Sequence, residues 1–123
     1  MNRFHYSGRA AAAPELQTVG QNDTKLARVR LIRNEYAGND GDGGRRERQV
    51  SIQFTAFGSM AETLARNVLT GDQLSVIATL RNNNFQRDGQ DHYEYNFEIL
   101  EFEYGAPGAE KRAKLAERDT SRD

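Results

Sequence analysis

Between Val50 and Phe57 the chain alternates: Val50, Ile52, Phe54 and Ala56 fall on one face, Ser51, Gln53, Thr55 and Phe57 on the other. That period belongs to a half-buried strand. Phe57 is an aromatic on the otherwise polar face, and Gly58 directly after it breaks the extended geometry. Met60, Leu64 and Val68 then recur four apart, which predicts a short amphipathic helix over Met60 to Leu69, stopped at Thr70-Gly71. Phe4, Tyr6 and Gly8 against Arg3, His5 and Ser7 predict a first strand over Arg3 to Arg9, ending in small residues before Pro14. Ala27, Val29 and Leu31 against Arg28 and Arg30 predict a second over Leu26 to Tyr36, with Ile32 blurring the pattern as a bulge or a second buried surface would. Val50 to Phe57 is the third strand, and Leu74, Val76, Ala78 and Leu80 mark a fourth. Asp88-Gly89 fits the positive-φ turn of a long hairpin with arms Asn82 to Arg87 and Gln90 to Tyr93. A fifth strand from about His92 puts Tyr93, Tyr95, Phe97 and Ile99 on one face, with Tyr93, Tyr95 and Phe97 assigned to the core or to subunit contacts. At Ile99-Leu100 the parity flips to Phe102 and Tyr104, and a bulge is expected there.

Two segments lack apolar periodicity. Ala37 to Gln49 carries a glycine-rich run and then Arg-Arg-Glu-Arg, which predicts a mobile loop between strands. After Gly105-Ala106-Pro107-Gly108 the stretch Ala109 to Arg118 could turn helical, but only Leu115 could anchor it, so 105–123 is expected to be a flexible, frayed polar tail behind one domain spanning 1–104. Five short strands with a single helix between the third and fourth describe an all-β oligonucleotide-binding fold, a five-stranded Greek-key barrel.

Composition narrows the chemistry. A chain of 123 residues with 37% hydrophobic content fills one core. Without cysteine there is no disulfide, thiolate metal site or cysteine nucleophile. No apolar run approaches the ~20 residues a bilayer requires, and the start has no apolar signal region, so a soluble, unexported cytoplasmic protein is expected. The net charge of −1 hides its distribution: Arg28, Arg30 and Arg33 cluster, as do Arg45, Arg46 and Arg48, while Glu94, Glu98, Glu101 and Glu103 load the last strand. A basic face opposite an acidic one keeps a usable local field. Asp40-Gly41-Asp42-Gly43 has glycine at Gly44, where a calcium loop needs its third oxygen ligand, and His5 and His92 have no companion ligands. No paired carboxylates, triad or phosphate loop can be assembled. Neither a cofactor nor enzymatic activity is expected.

Four stretches, in order, carry a family likeness: Ser7-Gly8-Arg9 with Pro14-Glu15-Leu16, Ala56-Phe57-Gly58 with Met60-Ala61-Glu62-Thr63, Gly71-Asp72-Gln73-Leu74 running to Leu80-Arg81, and Gly89-Gln90-Asp91-His92-Tyr93. Over residues 1 to 104 the chain resembles the bacterial single-stranded DNA-binding proteins. The resemblance implies a homotetramer of five-stranded barrels, with a dimer as the alternative, that wraps single-stranded DNA without sequence preference. It implies work in replication, recombination, repair or transfer of a mobile element, near the nucleoid and beside other proteins of those processes. Where that family usually carries tryptophan for base stacking, this chain has Phe85, Tyr36 and Ser51. Its tail ends Glu-Arg-Asp-Thr-Ser-Arg-Asp rather than in an acidic segment with an aromatic tip, which fits an accessory paralogue.

Binding single strands without reading sequence needs flat rings for the bases and cations for the phosphates. Phe85, Phe57 and Tyr36 are the candidate rings. Arg28, Arg30, Arg45, Arg46, Arg48, Arg81 and Arg87 are the candidate cations. The competing reading is a protein-interaction module of a replication or restart complex with weak DNA affinity, which the absence of tryptophan and the near-neutral charge favour.

Overall fold

The computed structural model describes residues 1–82 and 84–121, with side chains omitted at 85 and 119–121. Strands β1 (Phe4–Ala10), β2 (Leu16–Val19), β3 (Thr24–Asn39) and β4 (Arg45–Phe57) precede helix α1 (Ser59–Asn67). Then come β5 (Gln73–Asn82), the short β6 (Phe85–Arg87) and β7 (Gln90–His92), β8 (Tyr95–Tyr104) and helix α2 (Ala109–Ser121). The sheet runs β1-β5-β8-β4-β3-β2, and β1 also pairs with β3, so that β1, β5, β8, β4 and β3 close into a ring. The β4–β8 pairing is parallel, Phe54 opposite Phe97, and the others in the ring are antiparallel. This is the expected five-stranded barrel with α1 between its third and fourth strands.

The alternating residues fill it. Tyr6, Val29, Leu31, Phe54, Ala56, Leu74, Val76, Ala78 and Ile99 are buried, and Ala61, Leu64 and Val68 of the α1 segment join the same cluster. Phe4 lies 4.8 Å from Phe97 and Tyr6 lies 5.5 Å from Phe54, ring centroid to centroid. The buried Tyr6 hydroxyl donates to the Val50 carbonyl at 2.9 Å, which meets the requirement that an enclosed phenol find a partner. Gly58, at φ 68°, turns the end of β4 into α1, a conformation that side chains with a Cβ rarely adopt.

Several expectations hold. The bulge falls at Leu100: Ile99 faces Ala78 and Glu101 faces Ile77, leaving one residue over. Asp88 and Gly89 turn the hairpin at φ 54° and 77°. Four differ. A strand absent from the sequence reading, β2, pairs with the start of β3, Leu16 opposite Ala27. Ile32 makes no bulge; it pairs regularly with Ser51, and the β3–β4 ladder slips further out, between Tyr36 and Asn39. The fifth barrel strand starts at Tyr95, because His92 belongs to β7. The expected loop over Ala37 to Gln49 shrinks to residues 40–44, since β3 and β4 continue as a ladder through Glu35–Arg48, Tyr36–Glu47 and Asn39–Arg45. Backbone pairing carries this arm where no apolar pattern announces it.

The segment expected to be frayed forms α2, and its first turn is fastened to the barrel. Asp72, almost fully buried, accepts hydrogen bonds from the Leu69 amide at 2.9 Å and the Gly108 amide at 2.8 Å, and pairs with Lys111 Nζ at 2.7 Å. Lys111 also donates to the Asn67 carbonyl. A Cβ on Gly108 would come within 2.5 Å of the Gly71 backbone, so only glycine lets the two segments meet here. Burial alone would push the Asp72 carboxyl up, but the hydrogen bonds and charge of Lys111 with the two amides hold it below the ordinary carboxylate range.

Candidate nucleic-acid interface

On β3 and β4 the residues facing away from the core are those that alternate with the buried ones. Cross-strand pairs put Leu26 beside Phe57, Arg28 beside Thr55, Arg30 beside Gln53 and Ile32 beside Ser51 on this outer face. Phe57 is 40% exposed at one end of the strip. Polar neighbours hold both arginines extended over the sheet. Arg28 donates to Gln17 Oε1 at 3.2 Å; Arg30 donates to Ser51 Oγ at 3.0 Å and Gln53 Oε1 at 3.4 Å. None of these partners is charged, so both guanidinium charges remain available to an anion.

Further along the same face the ladder becomes the arm. Tyr36 is 58% exposed, donates its hydroxyl to Asn39 Oδ1 at 3.0 Å, and carries the Arg45 guanidinium 5.5 Å from its ring centroid. Arg45 also lies 3.7 Å from Glu47. Phe57, Arg28, Arg30, Tyr36 and Arg45 therefore share one continuous face. At the arm's turn Asp40 Oδ1 accepts the amides of Asp42 at 3.0 Å and Gly44 at 2.7 Å. Among the described residues no group of acidic and histidine side chains is placed to hold a metal.

Other candidates stand elsewhere. Arg46 and Arg48 share the parity of Val50, not of Ser51, and so project from the opposite face of the arm. Arg81 is tied to Glu98 at 2.8 Å, which offsets its charge. Phe85 opens β6, opposite His92, and Arg87 pairs with Gln90 beside the hairpin turn. The Phe85 side chain, the expected hairpin ring, lies outside the described residues. Tyr93 and Tyr95 are not core residues: they are 73% and 67% exposed at the root of the hairpin, because the barrel closes only from Phe97 onward. Alternation in the sequence offers them to the core or to a subunit contact, and their exposure removes the core; the sequence carries no marker of where enclosure begins.

Among the described residues no helix is long and apolar enough to cross a membrane. A family model described as the single-strand binding protein family matches residues 1–104. "Single-stranded DNA-binding protein 2" of Streptococcus agalactiae is 29% identical over 106 residues, covering 81% of this chain and 77% of its own. "Single-stranded DNA-binding protein 1" of Streptococcus pyogenes is 32% identical over 105 residues with the same coverage, 81% and 77%. Among solved structures, a deletion mutant of the single-stranded DNA binding protein from Thermus aquaticus superposes with a TM-score of 0.72 at 17% identity. That likeness covers 86% of this chain and 51% of the Thermus chain, about half its length. The Plasmodium falciparum protein in complex with single-stranded DNA gives 0.70 at 12% identity, covering 86% and 96%. At these identities the two structures speak for the fold.

Proposed function

Because the chain belongs to the single-strand binding protein family, we propose that it binds and shields single-stranded DNA without reading its sequence, bases lying on exposed rings and phosphates on arginines. The observation that carries this is the outer strip of β3 and β4, where Phe57, Arg28, Arg30, Tyr36 and Arg45 share one face. Every base has a π face, so rings select for unpaired strands and not for sequence. The arginines supply the salt-dependent share of the affinity. Phe85 and Arg87 on the hairpin are read as a further ring and a further cation of the same site. Ser51, small and polar between Arg30 and the arm, leaves a gap in the run of rings, and a modest affinity follows.

The relatives' names support a role wherever single strands are exposed: replication, recombination, repair or transfer of a mobile element, in the cytoplasm and at the nucleoid. Assembly as a homotetramer fits the outer edge of β1, where residues Phe4 to Gly8 pair only with β5 and leave a row of backbone groups for a second copy. The family is one of binding proteins, and the chain is read as such, not as an enzyme. Titrating labelled oligo-dT at several salt concentrations tests the reading. Affinity should fall with a log-log slope of about −0.7 for each phosphate contact. Weak binding that does not change with salt would favour the protein-interaction module instead.

A further inference from the structure

Helix α2 is fastened at one end and covers little. The buried Asp72 with its Lys111 partner, and the close approach of Gly108 to Gly71, fix its first turn, while residues 112–118 are all exposed. A helix docked for the sake of the core turns an apolar stripe inward. This one presents Lys111, Lys114, Leu115 and Arg118, at i, i+3, i+4 and i+7, to a groove of about 410 Å³. Arg66, Leu69 and Tyr104 line its other side. The Tyr104 ring is held there by Asn67 Nδ2, which donates to its hydroxyl at 3.2 Å, and by Lys111 Nζ, 5.5 Å from its centroid. Among the described residues no carboxylate lines the groove. Asp72 offsets Lys111 from behind, and Glu62, one turn back from Arg66 on α1, faces a separate hollow. Glu110 and Glu117 stand about 100° round α2 from Lys111 and Arg118. The side chains of Arg66 and Lys114 make no hydrogen bond or ion pair among the described residues. Cations gathered around apolar side chains left open to water are unfavourable on both counts, and an anionic partner with an apolar side chain relieves both.

We propose that the groove between α1 and α2 docks an acidic segment of a partner protein: one apolar side chain of that segment enters between Leu69, Leu115 and Tyr104, and its carboxylates meet Arg66, Lys114 and Arg118. Nucleic acid fits less well, because two leucines offer a base no π face and the Tyr104 ring is already taken up by Lys111. No residue of the front strip lines the groove, so the inference does not rest on the DNA-binding reading. The latch has a purpose on this account. Asp72, Gly108 and Lys111 hold α2 in place before a partner arrives, and docking then costs the protein little conformational freedom.

The probe is a labelled peptide of aspartates around a single leucine, beside a control peptide with serine in place of that leucine. Both are titrated by fluorescence anisotropy against the full chain, Leu115→Ser and Arg66→Gln/Lys114→Gln, with oligo-dT titrated in parallel. All three positions are exposed, so the variants should melt as the parent does. The parent should bind the leucine peptide about tenfold more tightly than the serine peptide, as expected for burial of one leucine side chain. Leu115→Ser should erase most of that preference. Arg66→Gln/Lys114→Gln should weaken both peptides roughly fivefold at low salt, and neither variant should alter oligo-dT binding. No binding by the parent, equal binding of the two peptides, or a preference that survives Leu115→Ser overturns the proposal. A loss of oligo-dT affinity in Arg66→Gln/Lys114→Gln also overturns it, since these cations then belong to the nucleic-acid site. A chain that binds the leucine peptide but not oligo-dT fails the DNA-binding reading and keeps the groove.

Discussion

Strands β3 and β4 lead two lives along one ladder. From Leu26 to Leu31 and from Ile52 to Phe57 they are barrel staves, one face packed with Phe54, Leu31 and Val29 in the core and the other carrying the exposed Arg28, Arg30, Gln53 and Phe57. From Arg33 to Asn39 and from Arg45 to Gln49 they are an arm, with charged or polar side chains on both faces. The barrel half is held by burial and the arm by backbone pairing. A side chain in the first region is constrained by its neighbours, whereas one in the second answers to what it meets from solvent, so stability and binding should separate along the same two strands.

Substitutions can break or sharpen that contrast. Phe54→Ala should cost the fold about 4 kcal/mol, because it removes a fully buried ring and leaves a cavity, as read from a denaturant midpoint. Asp72→Ala should follow at about 2 kcal/mol, because two amides and Lys111 lose their acceptor. The pH dependence has a definite sign: with its folded pKa lowered, Asp72 contributes stability that is fully present above its unfolded value, about 3.9. That contribution is lost as pH falls through the lower folded value. Thermal melts between neutral pH and pH 3 should therefore show a smaller acid-induced drop for Asp72→Ala than for the parent. Tyr36→Ala, out on the arm, should move the midpoint by no more than about 0.5 kcal/mol yet weaken oligo-dT binding. If Tyr36→Ala unfolded the chain as Phe54→Ala does, the division between staves and arm would be wrong.

The same contrast explains what could be read from the chain. Where one face of a strand is buried, alternation marks it, so β1, β5, the inner halves of β3 and β4, α1 and even the Leu100 bulge were legible. The arm has no buried face, and its strands read as a loop because glycine and arginine carry no period. For the same reason Arg45, Arg46 and Arg48 read as one cluster, although a ladder sends Arg45 to one side and its two neighbours' common face to the other. Tyr93 and Tyr95 depart from the core half of their expectation in the opposite sense: their alternation is genuine, but it runs past the end of the barrel. Helix α2 reads as a frayed tail in the sequence because its anchor is polar, with Asp72 and Lys111 standing where only Leu115 offers an apolar one.

The account's central claim is that the outer strip of β3 and β4 is a stacking surface, and Phe57 tests it most directly, since its ring belongs to that strip and lies outside the buried core cluster. Oligo-dT affinity should be measured for the parent and Phe57→Ala at one salt concentration, with a thermal melt of each. A loss of about 1 to 3 kcal/mol in binding, with the melt little changed, is the expected result. Unchanged affinity in a folded variant would contradict it.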